Sequence, residues 1–142
     1  MCDWMRVVKS GLGAGIVVLA ASLLLMPLWN LLFPFLQAEY LNPALFRPWT
    51  DPLMSLYFLY PFVLGLAMAY VYEMVMPALK TKGWVAKGAR FGFMLWVVAG
   101  VPGMLMTYAS FPVSLAMVFS WLAGGLAEML LAGMAVARIW GK

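Results

Sequence analysis

Four stretches of this chain stay apolar for as long as a helix needs to cross a bilayer, and that leaves few folds open. A membrane-crossing helix requires about 20 mostly apolar residues. Segments at about 11–32, 53–79, 91–108 and 113–139 come up to that length within 142 residues. A bilayer core offers no water, so each backbone N–H and C=O must be satisfied inside its own segment. Each stretch is therefore read as a helix. The expected fold class is an all-α integral membrane protein: one domain over 1–142, a bundle of four transmembrane helices with a partly ordered outer loop.

Composition closes the alternatives. Hydrophobic residues make up 66% of the chain and charged residues 10%, against roughly 25% charged in soluble domains. That is too little polar surface to coat a soluble particle and too apolar for disorder. The mean hydropathy is +0.97. Arg6 and Lys9 precede the first apolar run as in a signal peptide. The run is longer than the 7–15 residues of a signal core, however, and no small-x-small cleavage site follows it, so it is read as a retained helix.

Orientation follows from the cations. Arg6, Lys9, Lys80, Lys82, Lys87, Arg90, Arg138 and Lys142 fall on one side of the four spans, and Arg47 alone falls on the other. By the positive-inside rule the crowded side is cytoplasmic. A multi-pass protein of the cytoplasmic (inner) membrane with both termini cytoplasmic is expected, and a compact chain favours a bacterial one. The net charge of +4 then reflects topology and contact with anionic lipid, not nucleic acid. Trp4, Trp84 and Trp140 fall near the inner boundary, and Trp29, Tyr40, Trp49 and Tyr108 near the outer one. They read as the interfacial aromatic belt.

Two scarcities narrow the chemistry. The chain has no histidine, and its one cysteine is Cys2. This removes His-dependent metal sites, His-assisted nucleophiles and internal disulfides. Cys2 is read as an incidental thiol, with lipid attachment as the alternative. Met74 with Met76 and Met104 with Met106 have no His or Cys beside them and are read as flexible core filling. No catalytic set, cofactor or metal is expected, and no stretch carries a recognisable family motif.

The outer connection, about residues 33–51, is the unusual one. Asn42-Pro43 has the form of a helix N-cap followed by proline at the first helical position. A short interfacial helix from Pro43 to Phe46 is expected there. Glu39, Arg47 and Asp51 supply its charges, read as a solvated local ion pair, with binding of an anionic group as the alternative.

Charges kept inside a span tend to face protein or a water-filled path. Glu73 lies near the inner end of its helix, within snorkelling reach of Lys80, Lys82 or Arg90. Glu128 lies near the midplane. Steps of four along the last helix give Ala116, Ser120, Gly124, Glu128 and Ala132, a ridge of small residues that allows another helix to approach. A buried carboxyl needs a hydrogen-bond partner. By depth, Ser22, Tyr70 and the carbonyl of Val98, freed by Pro102, are the candidates. Gly11 and Gly15, with Gly92 and Gly100, read as close-packing positions.

The leading expectation is a non-catalytic subunit or scaffold that assembles with other membrane subunits or with itself through small-residue faces. The alternative is a small oligomeric transporter or channel with Glu128 as its proton or cation site.

Overall fold

The computed structural model describes residues 3–141; Cys2 and Lys142 lie outside them. Among the described residues the chain is helical, without strands: α1 (Trp4–Leu32), α2 (Phe35–Tyr40), α3 (Leu56–Val75), α4 (Trp84–Leu95), α5 (Val101–Ser110) and α6 (Leu115–Trp140). Four runs are long and apolar enough to cross a membrane: Trp4–Leu32, Pro52–Ala78, Trp84–Ser110 and Leu115–Trp140.

Local chemistry sets the boundaries. α1 begins at Trp4, earlier than hydropathy suggests, because the Asp3 side chain accepts the Arg6 N–H at 3.2 Å and caps the first turn. The third span begins at Trp84 instead of about residue 91. Lys87 and Arg90 belong to its first helix, whose opposite face, Gly88, Phe91 and Gly92, is buried. Arg138 lies over the Trp84 ring, 4.9 Å from its centroid. Hydropathy alone mistakes this amphipathic turn for loop. Gly83 opens it at φ +82°, a left-handed conformation that side chains disfavour. Midway, residues Trp96–Gly100 form a π-helical turn just before Pro102, which has no N–H to return to the Val98 carbonyl.

The 33–51 connection differs from expectation. Its helix is α2, at Phe35–Tyr40, and not Pro43–Phe46, where the chain makes a single turn. The Asn42 side chain does accept the Ala44 N–H at 3.0 Å. The capping chemistry is present, but Arg47-Pro48 follows within one turn, and a residue before proline is held out of the helical region.

α1 lies between α3 and α6, and α4 packs on the far side of α6. Glycines make both close crossings. A Cβ on Gly65 would strike the Gly11 carbonyl and lie 2.7 Å from the Gly15 nitrogen, and a Cβ on Gly11 would lie 2.7 Å from Leu66 Cα. On the other side, Gly88 and Gly92 meet Gly133 and Met129 backbone. The atoms nearest a Cβ on Gly100 belong to the Trp96 ring of its own span and not to another helix.

The bundle is tight at the basic end, where Trp4, Lys87 and Arg138 lie. Its main core joins α1, α3, α4 and α6 there. Tyr72 meets Phe91 and Trp140 edge-on, with ring centroids 5.1 and 5.9 Å away. Trp140 is therefore a core residue at 5% exposure, not a belt residue. At the other end, carrying the 33–51 connection, the spans spread: the third span packs closely on α6 along α4 and only sparsely along α5. A smaller core of Leu36, Val113, Met117 and Val118 fixes α2 against α6.

The Tyr72 hydroxyl is buried without a hydrogen-bond partner among the described residues. Tyr72→Phe is expected to leave thermal stability unchanged or raise it by about 1 kcal/mol, because it removes a desolvated, unpaired group. Melting curves in detergent test this; a fall of that size would mean that the hydroxyl has a partner.

Candidate functional site

The spreading of the spans opens a cavity of about 490 Å³, within the range of small-molecule sites. Its walls come from α1, α3, the third span and α6, and residues of the 33–51 connection line its mouth. Glu128 lies in its lining together with Ser22, which donates to Glu128 Oε1 at 2.7 Å. Ser22 Oγ is also 2.9 Å from the Val18 carbonyl. A serine hydroxyl has one hydrogen, so the carboxylate and the helix carbonyl compete for it.

The residues around the acid are mostly aromatic. Tyr57 and Tyr60 of α3 line the same cavity as Glu128. Trp29 of α1 comes against Gly124, where a Cβ would lie 3.3 Å from its indole nitrogen. Trp96 Nε1 donates to the Leu122 carbonyl at 2.9 Å, and Trp121 Nε1 donates to the Tyr40 hydroxyl at 2.6 Å. Of the small ridge on α6, Ser120, Gly124 and Glu128 line the cavity. Only Ala132 joins the main core. Small residues here make room as well as contact.

The 33–51 connection is tied down across the mouth. Glu39 accepts the Ser114 N–H at 2.6 Å, satisfying a free donor at the start of α6. Phe46 packs on Trp121 at 6.0 Å and Trp49 on Tyr57 at 5.5 Å. Burial pushes the Tyr40 hydroxyl above its ordinary 10.0, against the lowering effect of its bond with Trp121; it stays neutral and able to accept at physiological pH. Arg47 lines the mouth and pairs with Asp51 at 2.9 Å.

Asp51 also caps the turn that opens the second span, accepting the Leu53 N–H at 2.9 Å. That bond first, and Arg47 second, hold its carboxyl below the ordinary 3.8. A depressed native pKa contributes stability that is present above the unfolded value and lost as the pH falls through the native one. The Leu53 amide resonance is thus expected to stay constant at neutral pH and to move only in acid, below 3.8. Asp51→Asn is expected to abolish that movement; an unchanged titration would mean that another group causes it.

The structure thus brings Ser22, Ser120, Gly124, Glu128 and Arg47 to one cavity, with Glu39 and Asp51 tied beside its mouth. Two suggested partners of Glu128 lie elsewhere. Tyr70 stacks on Trp4 at 6.0 Å, at the basic end, and Val98 is 74% exposed on the outer surface of its span. Depth along a helix does not fix rotation about it, and the early start of α1 shifts the register of depths. Glu73 accepts the Asp3 N–H at 2.8 Å and so holds the start of α1. Gly11 and Gly15 belong to the α1–α3 crossing. Trp29, Tyr40 and Trp49, read as belt residues, also line the cavity. Sequence reasoning missed Tyr57, Tyr60, Trp96 and Trp121. Their signal was a polar handle on a ring inside a span, which needs either a partner or a wet cavity.

Searches against protein families, curated proteins and solved structures find no match.

Proposed function

We propose that the chain is a small multi-pass protein of the cytoplasmic (inner) membrane, with both termini in the cytoplasm. Its cavity opens to the outside, and Glu128 exchanges a proton for a cation there, as the binding site of a transporter or channel. The role is non-catalytic. One observation carries this reading: among the described residues Glu128 is the only acid in the lining of a roomy cavity, hydrogen-bonded to a serine that has a second acceptor to turn to. The neutral acid donates to Ser22 while Ser22 donates to Val18. The carboxylate takes the Ser22 hydrogen instead. Proton loss therefore costs one helix back-bond and leaves a negative charge facing the cavity.

A subunit or scaffold assembling with other membrane proteins or with itself is the second reading. It rests on the small-residue faces of α1 and α6. Gly11 and Gly15 are filled by α3, and Gly133 by α4, so those faces are used within the chain and favour the first reading.

Infrared spectra of the protein in nanodiscs, recorded across pH, test the proposal. A carboxylic acid C=O band that disappears with rising pH in the wild type and is missing in Glu128→Gln is expected. Identical spectra for the two would mean that Glu128 does not exchange protons with bulk water.

A further inference from the structure

We propose that the ligand of this cavity is an organic ammonium cation with an apolar tail. Its head seats against Glu128 among aromatic rings, and its tail runs out between α3 and α5. The proposal rests on the reading of Glu128 as a cation-exchanging acid and names the class of cation.

The lining carries two formal charges, Glu128 and Arg47, and Arg47 is already paired with Asp51. The uncompensated charge is negative, so the complementary ligand is a cation. A hard inorganic ion is stripped of water only by a shell of several oxygens. The walls hold scattered oxygens, of Glu128, Ser22, Ser120, Asn30 and the tyrosines, but most of their area belongs to rings: Trp29, Tyr57, Tyr60, Trp96 and Trp121. The indole N–H groups of Trp96 and Trp121 are committed to Leu122 and Tyr40, so what these side chains offer a ligand is ring surface. A ring face attracts an alkylated ammonium, whose charge is spread over its methyl groups and which needs no hydrogen-bond acceptor. The cavity is also far larger than an ammonium head requires.

The room for a tail comes from the way the spans diverge. The second and third spans meet at the basic end through Tyr72 and Phe91; beyond it the third span, close on α6 along α4, touches α6 only sparsely along α5, and α3 makes extended contact with neither α4 nor α5. Met54 and Met104 line the cavity from these two spans. Methionine is unbranched and adaptable and suits a wall that must accept a chain of variable shape. A tail leaving the cavity here passes straight into the apolar part of the bilayer.

Calorimetric titration of the full chain in maltoside micelles tests this with three probes: hexyltrimethylammonium, its neutral tert-butyl analogue, and tetramethylammonium. The first is expected to bind at least about tenfold more tightly than either of the others, reflecting loss of the charge or of the buried tail. Glu128→Gln is expected to weaken it about tenfold and Tyr60→Leu about fivefold, a cation–π contribution. No side-chain hydrogen bond ties Tyr60 among the described residues and it sits within α3, so its replacement tests the cage even if Glu128→Gln fails to fold. Equal binding of the neutral analogue, or no effect of Tyr60→Leu, would reduce the interaction to simple partitioning and overturn the proposal. Binding of sodium or potassium with no binding of hexyltrimethylammonium would overturn it too. If the infrared titration shows Glu128 exchanging protons while no ammonium binds, this inference falls and the proton-exchange reading stands.

Discussion

Gly65→Leu is expected to prevent the bundle from forming. A Cβ at this position would strike the Gly11 carbonyl and crowd the Gly15 nitrogen at 2.7 Å. Both are backbone atoms of α1, held by the helix's own hydrogen bonds, so neither can move aside. Relief requires the two helices to separate, which also opens the contacts of Val7, Ala14 and Val18 with Met68, Ala69 and Tyr72. Overpacking in a well-filled core costs about 1–3 kcal/mol and occasionally more. With backbone as the obstacle, the upper end of that range or beyond is expected, a large share of the 5–15 kcal/mol typical of a whole domain. Size-exclusion profiles and melting curves in detergent read this directly. Gly125→Ala is the matched control. A Cβ there meets nothing within 4 Å, and alanine is the better helix former by about 1 kcal/mol. Equal behaviour of the two variants would remove the glycine crossing from the account of the fold.

The second large effect is on function. Glu128→Gln is expected to abolish proton exchange and weaken cation binding about tenfold while leaving the fold within about 1 kcal/mol of the wild type. The amide has the same shape as the acid, and its oxygen still accepts from Ser22. What it lacks is an ionisable group. Glu128→Leu differs in kind, since it deprives Ser22 of its partner and lines the cavity with hydrocarbon. A melting temperature for Glu128→Gln close to that of the wild type, with proton release lost, separates the acid's role in binding from its role in packing. Loss of both together would make Glu128 a structural link between α1 and α6.

Much of this arrangement is legible in the sequence because the bilayer simplifies the problem. Length and hydropathy alone mark the four spans, and the distribution of lysine and arginine separates the two ends. Glu128 stands out as an acid in mid-helix, and Ser22 is found by counting depth. Several of the errors share one cause: hydropathy reports position along a helix and says nothing of rotation about it. Tyr70 and Val98 sit on the wrong sides of their helices. The ridge of Ser120 and Gly124 turned out to line an opening, because close approach on α6 happens at Gly133 instead. Lys87 and Arg90 hid a helical turn whose buried face is only three residues wide. The aromatic wall was the hardest part, since tryptophan and tyrosine near a span end serve equally well as belt or as cavity lining.

On the proposed reading, water reaches Glu128 through the cavity from the side opposite the basic connection. Labelling of Gly125→Cys, on the cavity wall, by a membrane-impermeant thiol reagent in a Cys2→Ser background tests this. Nothing crowds a side chain there, so the substitution leaves the wall intact. In sealed vesicles of known orientation the cysteine is expected to react from the side bearing the 33–51 connection, and to be protected from the side bearing Lys80–Arg90. No reaction from either side, or reaction only from the basic side, would contradict the account.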